Sequence, residues 1–152
     1  MRTIGCVLSV LLLSTAAASA DTALNLQEGS WKITRLISLG SQHELTKPAP
    51  TTECLSPSTP YPAADVGWPD GTKCTSETAV AGNVVTWSFT CTKDKTTTTG
   101  KGPLTFSGKK FSGTINIETV TEDDSGMAGR RGLLKVSGAY TGVCAANAPA
   151  KK

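Results

Sequence analysis

The sequence predicts an all-β domain: an antiparallel meander of six to eight strands, curled or barrel-like and stapled by disulfides. Three observations carry this expectation. Apolar and polar residues alternate between turn residues that recur roughly every ten positions, and the 3.6-residue period of a helix is almost absent. Cys54, Cys74, Cys91 and Cys144 lie downstream of a segment with the marks of an export signal, so they are expected to be oxidised and structural. Glycines interrupt the last strand, as they do where a sheet curves strongly or backbones approach closely.

Residues 1–20 read as a cleaved signal peptide. Arg2 supplies the positive start, Ile4 to Leu13 the apolar centre, and Ala18-Ser19-Ala20 a small-residue cleavage site before Asp21. The apolar run falls short of the roughly 20 residues that span a bilayer, and Cys6 is expected to leave with the signal. No transmembrane segment is expected after cleavage, and the localisation expected is periplasmic or secreted. Residues 21–147 then form a single β domain and 148–152 a flexible tail. The formal net charge of the whole chain is only +3, and Lys109-Lys110 and Arg130-Arg131 are isolated pairs, which argues against a nucleic-acid partner.

The first strand is expected from Ser30 to Leu39, with Trp31, Ile33, Ile37 and Leu39 on one face. Arg35 interrupts that apolar face. After a turn at Gly40-Ser41, His43 to Thr46 is a candidate short return strand. Residues 48–69 contain six of the chain's eight prolines and are expected to form an irregular crossover, because proline lacks a ladder donor and has a fixed φ. One helical turn near Ala63 to Val66 is the most order expected there.

Thr75–Ala81 and Val84–Cys91 form the clearest hairpin, around Gly82-Asn83, where glycine suits the first central position of a type II′ turn. In its second strand Val85, Trp87, Phe89 and Cys91 face one way and threonines and serines the other, the pattern of a half-buried strand. The run KTTTTG at Lys95–Gly100 reads as an edge, threonine favouring pleated backbone and lysine discouraging further pairing. Leu104–Ser107 and Phe111–Thr121 make a second hairpin over Gly108-Lys109. Glu122–Gly129 is expected as an acidic loop, and Gly132–Val143 as the last strand.

Four cysteines allow three connectivities. A two-residue turn at Gly82-Asn83 sets Cys74 opposite Cys91 and leaves Cys54 for Cys144. The rival arrangement, Cys54–Cys74 with Cys91–Cys144, holds down the proline-rich crossover and ties the last strand into the sheet, and it is preferred here. A zinc site is disfavoured, because the spacing contains no C-x-x-C knuckle.

The motifs GSWKIT at Gly29–Thr34, ECLSP at Glu53–Pro57, GNVVTWSFTC at Gly82–Cys91, GKKFSG at Gly108–Gly113, GRRGLL and the terminal GVC occur in an order that resembles the domain-of-unknown-function family 3617. These are small exported bacterial proteins with four cysteines, and the resemblance implies export and a compact domain without an assigned activity. The Gly29-Ser30-Trp31 opening is also similar to the calycins, the lipocalin and avidin group. That likeness implies a barrel end plugged by Trp31, with Arg130 or Arg131 from the last strand packed over it. Trp31 also reads simply as core.

No catalytic constellation is found, so an enzyme is not expected, and no cofactor or metal is implied. His43 is the only histidine and cannot complete a metal site alone. Glu122, Asp123, Asp124 and Ser125 lack the spacing of a calcium loop. The expectation is a non-catalytic binding module for a small apolar or envelope-derived ligand. The alternative is a structural or interaction protein of the cell envelope acting through its proline-rich loop. Trp31, Tyr61 and Trp68 are the candidate ligand or contact residues.

Overall fold

The computed structural model describes residues 23–40 and 45–145. The expected signal segment, His43 and the expected tail lie outside them. The described residues form one all-antiparallel sheet of eight strands: β1 (Gly29–Leu39), β2 (Leu45–Thr46), β3 (Thr51–Leu55), β4 (Lys73–Ala81), β5 (Val84–Lys93), β6 (Thr96–Ser107), β7 (Lys110–Asp123) and β8 (Gly126–Gly142). No helix among them is long and apolar enough to cross a membrane.

From β4 to β8 each strand pairs with the next, and β8 then pairs along the whole of β1. The far edge of β1 is shared, β2 pairing with its C-terminal part and β3 with its N-terminal part. The sheet curls so that one face becomes the core. Trp31, Ile33 and Ile37 from β1, Val85, Trp87 and Phe89 from β5, Leu104 and Phe106 from β6, Ile115 and Ile117 from β7, and Leu134 and Val136 from β8 are all buried there. Their period of two is the alternation read from the sequence.

Close curvature requires bare backbone beneath the large rings. Gly100 lies opposite Phe89 and Gly138 opposite Phe111, and a Cβ at either glycine would collide with the facing ring. At the β4–β5 turn Gly82 has a φ of 57°, the left-handed value the hairpin demands at that position.

Four expectations are corrected. The crossover is not irregular throughout, because Thr51–Leu55 inside it forms β3 on the edge of β1. The threonine run is not an edge; it is the start of β6, hydrogen-bonded between β5 and β7. The acidic loop shrinks to a tight turn, and β8 begins at Gly126, six residues earlier than expected. Residues 122–131 are exposed on both faces, so they carry no apolar alternation to reveal a strand.

The fourth correction concerns the cysteines, which pair as Cys54–Cys144 and Cys74–Cys91, not in the preferred arrangement. The two-residue turn decides it: β4 and β5 run in strict register out to Cys74 opposite Cys91, with Cα atoms 4.1 Å apart. Cys54 lies on the opposite face of β3 from Glu53, and Cys144 follows the end of β8, so their bond ties the last strand across β1 to β3.

Candidate functional site

One end of the curled sheet is shut. Trp31 is fully buried there among Phe106, Phe111 and Tyr140, with ring centroids 5.6–6.3 Å away, and its indole Nε1 donates to the Gln27 carbonyl at 3.0 Å. The segment before β1 closes this end by main-chain bonds to the β6–β7 turn, Gln27 N to Gly108 O and Gly108 N to Asn25 O. Trp31 thus takes the plugging part implied by the calycin likeness. The arginine part of that likeness fails, because Arg130 and Arg131 pair with Thr119 and Glu118 far along β8, both exposed. Tyr140, opposite Trp31 in the register, covers it instead.

The open side of the curl is crossed by the chain itself. Residues 56–72 run from β3 at one edge to β4 at the other, over the concave face. Pro60, Pro62 and Ala64 are buried, Tyr61 stacks on Trp87 at 6.5 Å, and Trp68 lies 6.5 Å from Phe89. Tyr61 and Trp68 therefore turn inward and are half-buried. The Ala64 carbonyl oxygen sits 3.6 Å from Cys91 Sγ, a packing contact only, since a disulfide sulfur carries no proton. Trp87 Nε1 is buried beneath this segment with no acceptor among the described residues.

A polar anchor holds the crossover at its first half. Arg35, whose side chain is 2% exposed, donates to Glu53 Oε1 at 2.6 Å, to Thr51 Oγ1 at 2.7 Å and to the Ala63 carbonyl at 3.0 Å. Glu53 Oε2 accepts from the Ala63 amide at 2.6 Å. Burial alone would raise the Glu53 pKa. The Arg35 guanidinium and the donors Thr51 and Ala63 outweigh it and hold the carboxyl below its ordinary value. Arg35, which interrupts the apolar face of β1, therefore has its partner on β3. A lone charge on an otherwise apolar strand face was the only signal of it in the sequence.

The other end of the curl stays open. Beyond Trp68 a cleft of about 260 Å³ is walled by Leu39, Trp68, Pro69 and Cys91, with Thr96, Thr98 and Thr119 across from them. The hydroxyls bond one another in cross-strand pairs, Thr98 to Thr119 at 3.0 Å and Thr96 to Thr121 at 3.1 Å. Lys93 and Asp94 stand at the rim, and Lys93 Nζ bonds the Asp70 carbonyl at 2.7 Å. Of the three candidate contact residues, Trp68 lines this cleft, Tyr61 lies under the crossover and Trp31 plugs the opposite end, so they do not form one surface.

The acidic turn does not converge on a point. Asp123 Oδ1 accepts from the amide and hydroxyl of Ser125, at 2.8 and 2.5 Å, and these bonds lower its pKa. Asp124 faces Lys95 at 3.8 Å.

No curated protein and no solved structure matches this chain. The family model described as Protein of unknown function (DUF3617) matches residues 26–144, from just before β1 to the last cysteine, and the chain belongs to that family.

Proposed function

We propose that the protein is an exported, non-catalytic binding module that takes a small, largely apolar ligand with one polar end into the cleft beside Trp68. The observation that carries this reading is the asymmetry of the curl. One end is packed shut around Trp31, the middle is filled by the chain's own crossover, and the remaining concavity joins an apolar wall to a row of threonine hydroxyls. Binding sites commonly combine apolar walls with a few placed polar groups. At about 260 Å³ the space suits a ring system or short acyl chain, smaller than the drug-sized ligands of typical pockets. Two disulfides support work outside the cytosol. The envelope-interaction alternative is less favoured, because the crossover's two aromatic rings are engaged by Trp87 and Phe89.

The test is a fluorescence titration of the oxidised protein with N-phenyl-1-naphthylamine. Saturable uptake is expected, weakened by Trp68→Ala and abolished by Leu39→Trp, which fills the cleft. Unsaturable uptake, or equal affinity in the filled variant, would refute the reading.

A further inference from the structure

On the outer, solvent-facing side of the same sheet, we propose a second and chemically different site: a groove that binds a phosphorylated saccharide. This goes beyond the apolar cleft and does not depend on it. The groove has a volume of about 530 Å³ and runs across β1, β8, β7 and β6. Its shape follows from the strand register. Lys32 lies opposite Ala139, and Ala139 opposite Lys110. A methyl group thus sits between two long side chains, leaving a trough with a cation on each wall.

The neighbouring row supplies the hydroxyls. Thr34 faces Ser137, Ser137 faces Ser112, and Ser112 faces Thr105. Four hydroxyl side chains therefore line up across four adjacent strands, at intervals of roughly 4.8 Å and over a span of about 14 Å. Ser107 adds a fifth hydroxyl at the end of the groove. Hydroxyls both donate and accept, which matches the alternating character of a polyol edge over the length of a short oligosaccharide.

The charges in the groove are unspent. Among the described residues, no carboxylate lines it. The ion pairs among the described residues engage Arg35, Lys95 and Arg131, leaving Lys32 and Lys110 to an outside anion. Among the described residues, none of the four hydroxyls in the row has a side-chain hydrogen-bond partner. Lysine ammonium groups bind phosphate as point charges. A hydroxyl row framed by two cations thus fits a sugar that carries a phosphate better than it fits either component alone. The absence of stacking aromatics on the groove surface, where Phe111 turns its ring into the core, disfavours single-stranded nucleic acid.

Such a ligand could reach the protein as a free sugar phosphate or as the head of a phosphorylated lipid. The experiment is amide chemical-shift mapping of the oxidised full chain with glucose 1-phosphate, glucose and inorganic phosphate in parallel. Co-sedimentation with phosphatidylcholine vesicles, with and without phosphatidylinositol 4-phosphate, forms the second arm. Saturable shifts in β1, β7 and β8 around Thr34, Ser112 and Ser137 are expected with glucose 1-phosphate. Glucose and phosphate alone should each bind at least about tenfold more weakly, given the strength of charge-assisted bonds. The double variant Lys32→Gln/Lys110→Gln should lose at least about tenfold in affinity while Lys95→Gln, at the other end of the sheet, loses none. Binding confined to the phosphorylated vesicles, and lost in the double variant, would assign the lipid-borne source. Absence of binding in both arms, equal binding of inorganic phosphate, or an unchanged double variant would overturn the proposal. Uptake of N-phenyl-1-naphthylamine should be unaffected by the lysine changes, so the two sites fail separately.

Discussion

Glu53→Gln should be among the most damaging single substitutions in the protein. The carboxylate accepts from Arg35 and Thr51 through one oxygen and from the Ala63 amide through the other, all at 2.6 Å. Glutamine keeps one acceptor oxygen and sets an NH₂ group against a donor on the other side. Either Ala63 N–H or part of the Arg35 guanidinium then loses its acceptor, and an unsatisfied buried donor costs about 1–3 kcal/mol. Arg35 also keeps a buried charge that nothing neutralises. Breaking a buried pair from one side costs about 3–5 kcal/mol in all, a large share of the stability of a domain this size. The assay is urea unfolding at pH 7 with disulfides intact, read by tryptophan fluorescence and by hydrogen exchange at the Ala63 amide. The double variant Arg35→Met/Glu53→Leu removes both charges and should lose less than Glu53→Gln alone. A loss below about 1 kcal/mol for Glu53→Gln, or a double variant as unstable as the summed single changes, would refute the anchoring argument.

Three further outcomes are expected. Because the Glu53 pKa is depressed in the folded protein, the unfolded chain binds the proton first as pH falls. Its contribution is therefore fully present above 4.5 and is lost as pH drops through the folded value; acid titration of stability should fall more steeply in the wild type than in Glu53→Gln, and parallel curves would contradict this. Loop-closure entropy gives about 4–5 kcal/mol for the bond spanning 90 positions and about 3 kcal/mol for the one spanning 17; replacing Cys54 and Cys144 by serine should therefore destabilise more than replacing Cys74 and Cys91, with peptide mapping confirming the pairs. Gly100→Ala should lose about 1–3 kcal/mol by driving a methyl into Phe89, whereas Gly129→Ala, which meets nothing within 4 Å, should be neutral or gain up to about 1 kcal/mol; equal melting temperatures for the two would sink the close-approach reading.

Much of this architecture follows from local rules. Alternation along Val85–Cys91 marked the core face of β5 because a pleated strand with one dry side needs a period of two. Gly82-Asn83 marked the turn, and a two-residue turn fixes the register of everything behind it, including Cys74 opposite Cys91. The rival pairing would have used a disulfide to hold the crossover, but that is a tertiary task which a polar anchor performs instead. That anchor is Arg35 with Glu53. Their partnership is between residues 18 positions apart on neighbouring strands, and β3 is too short and too close to prolines to declare itself as a strand.

By itself, then, the sequence determined the all-β class, the main hairpins and the inward faces of β1 and β5, since these depend on neighbours one or two residues away. Only the tertiary structure decided that the last strand closes on the first, that the crossover fills the concave face, and that Lys32 and Lys110 flank one trough. Those are relations between distant segments, set by which strand edges meet and how tightly the sheet can curl over its glycines, and no local pattern encodes them.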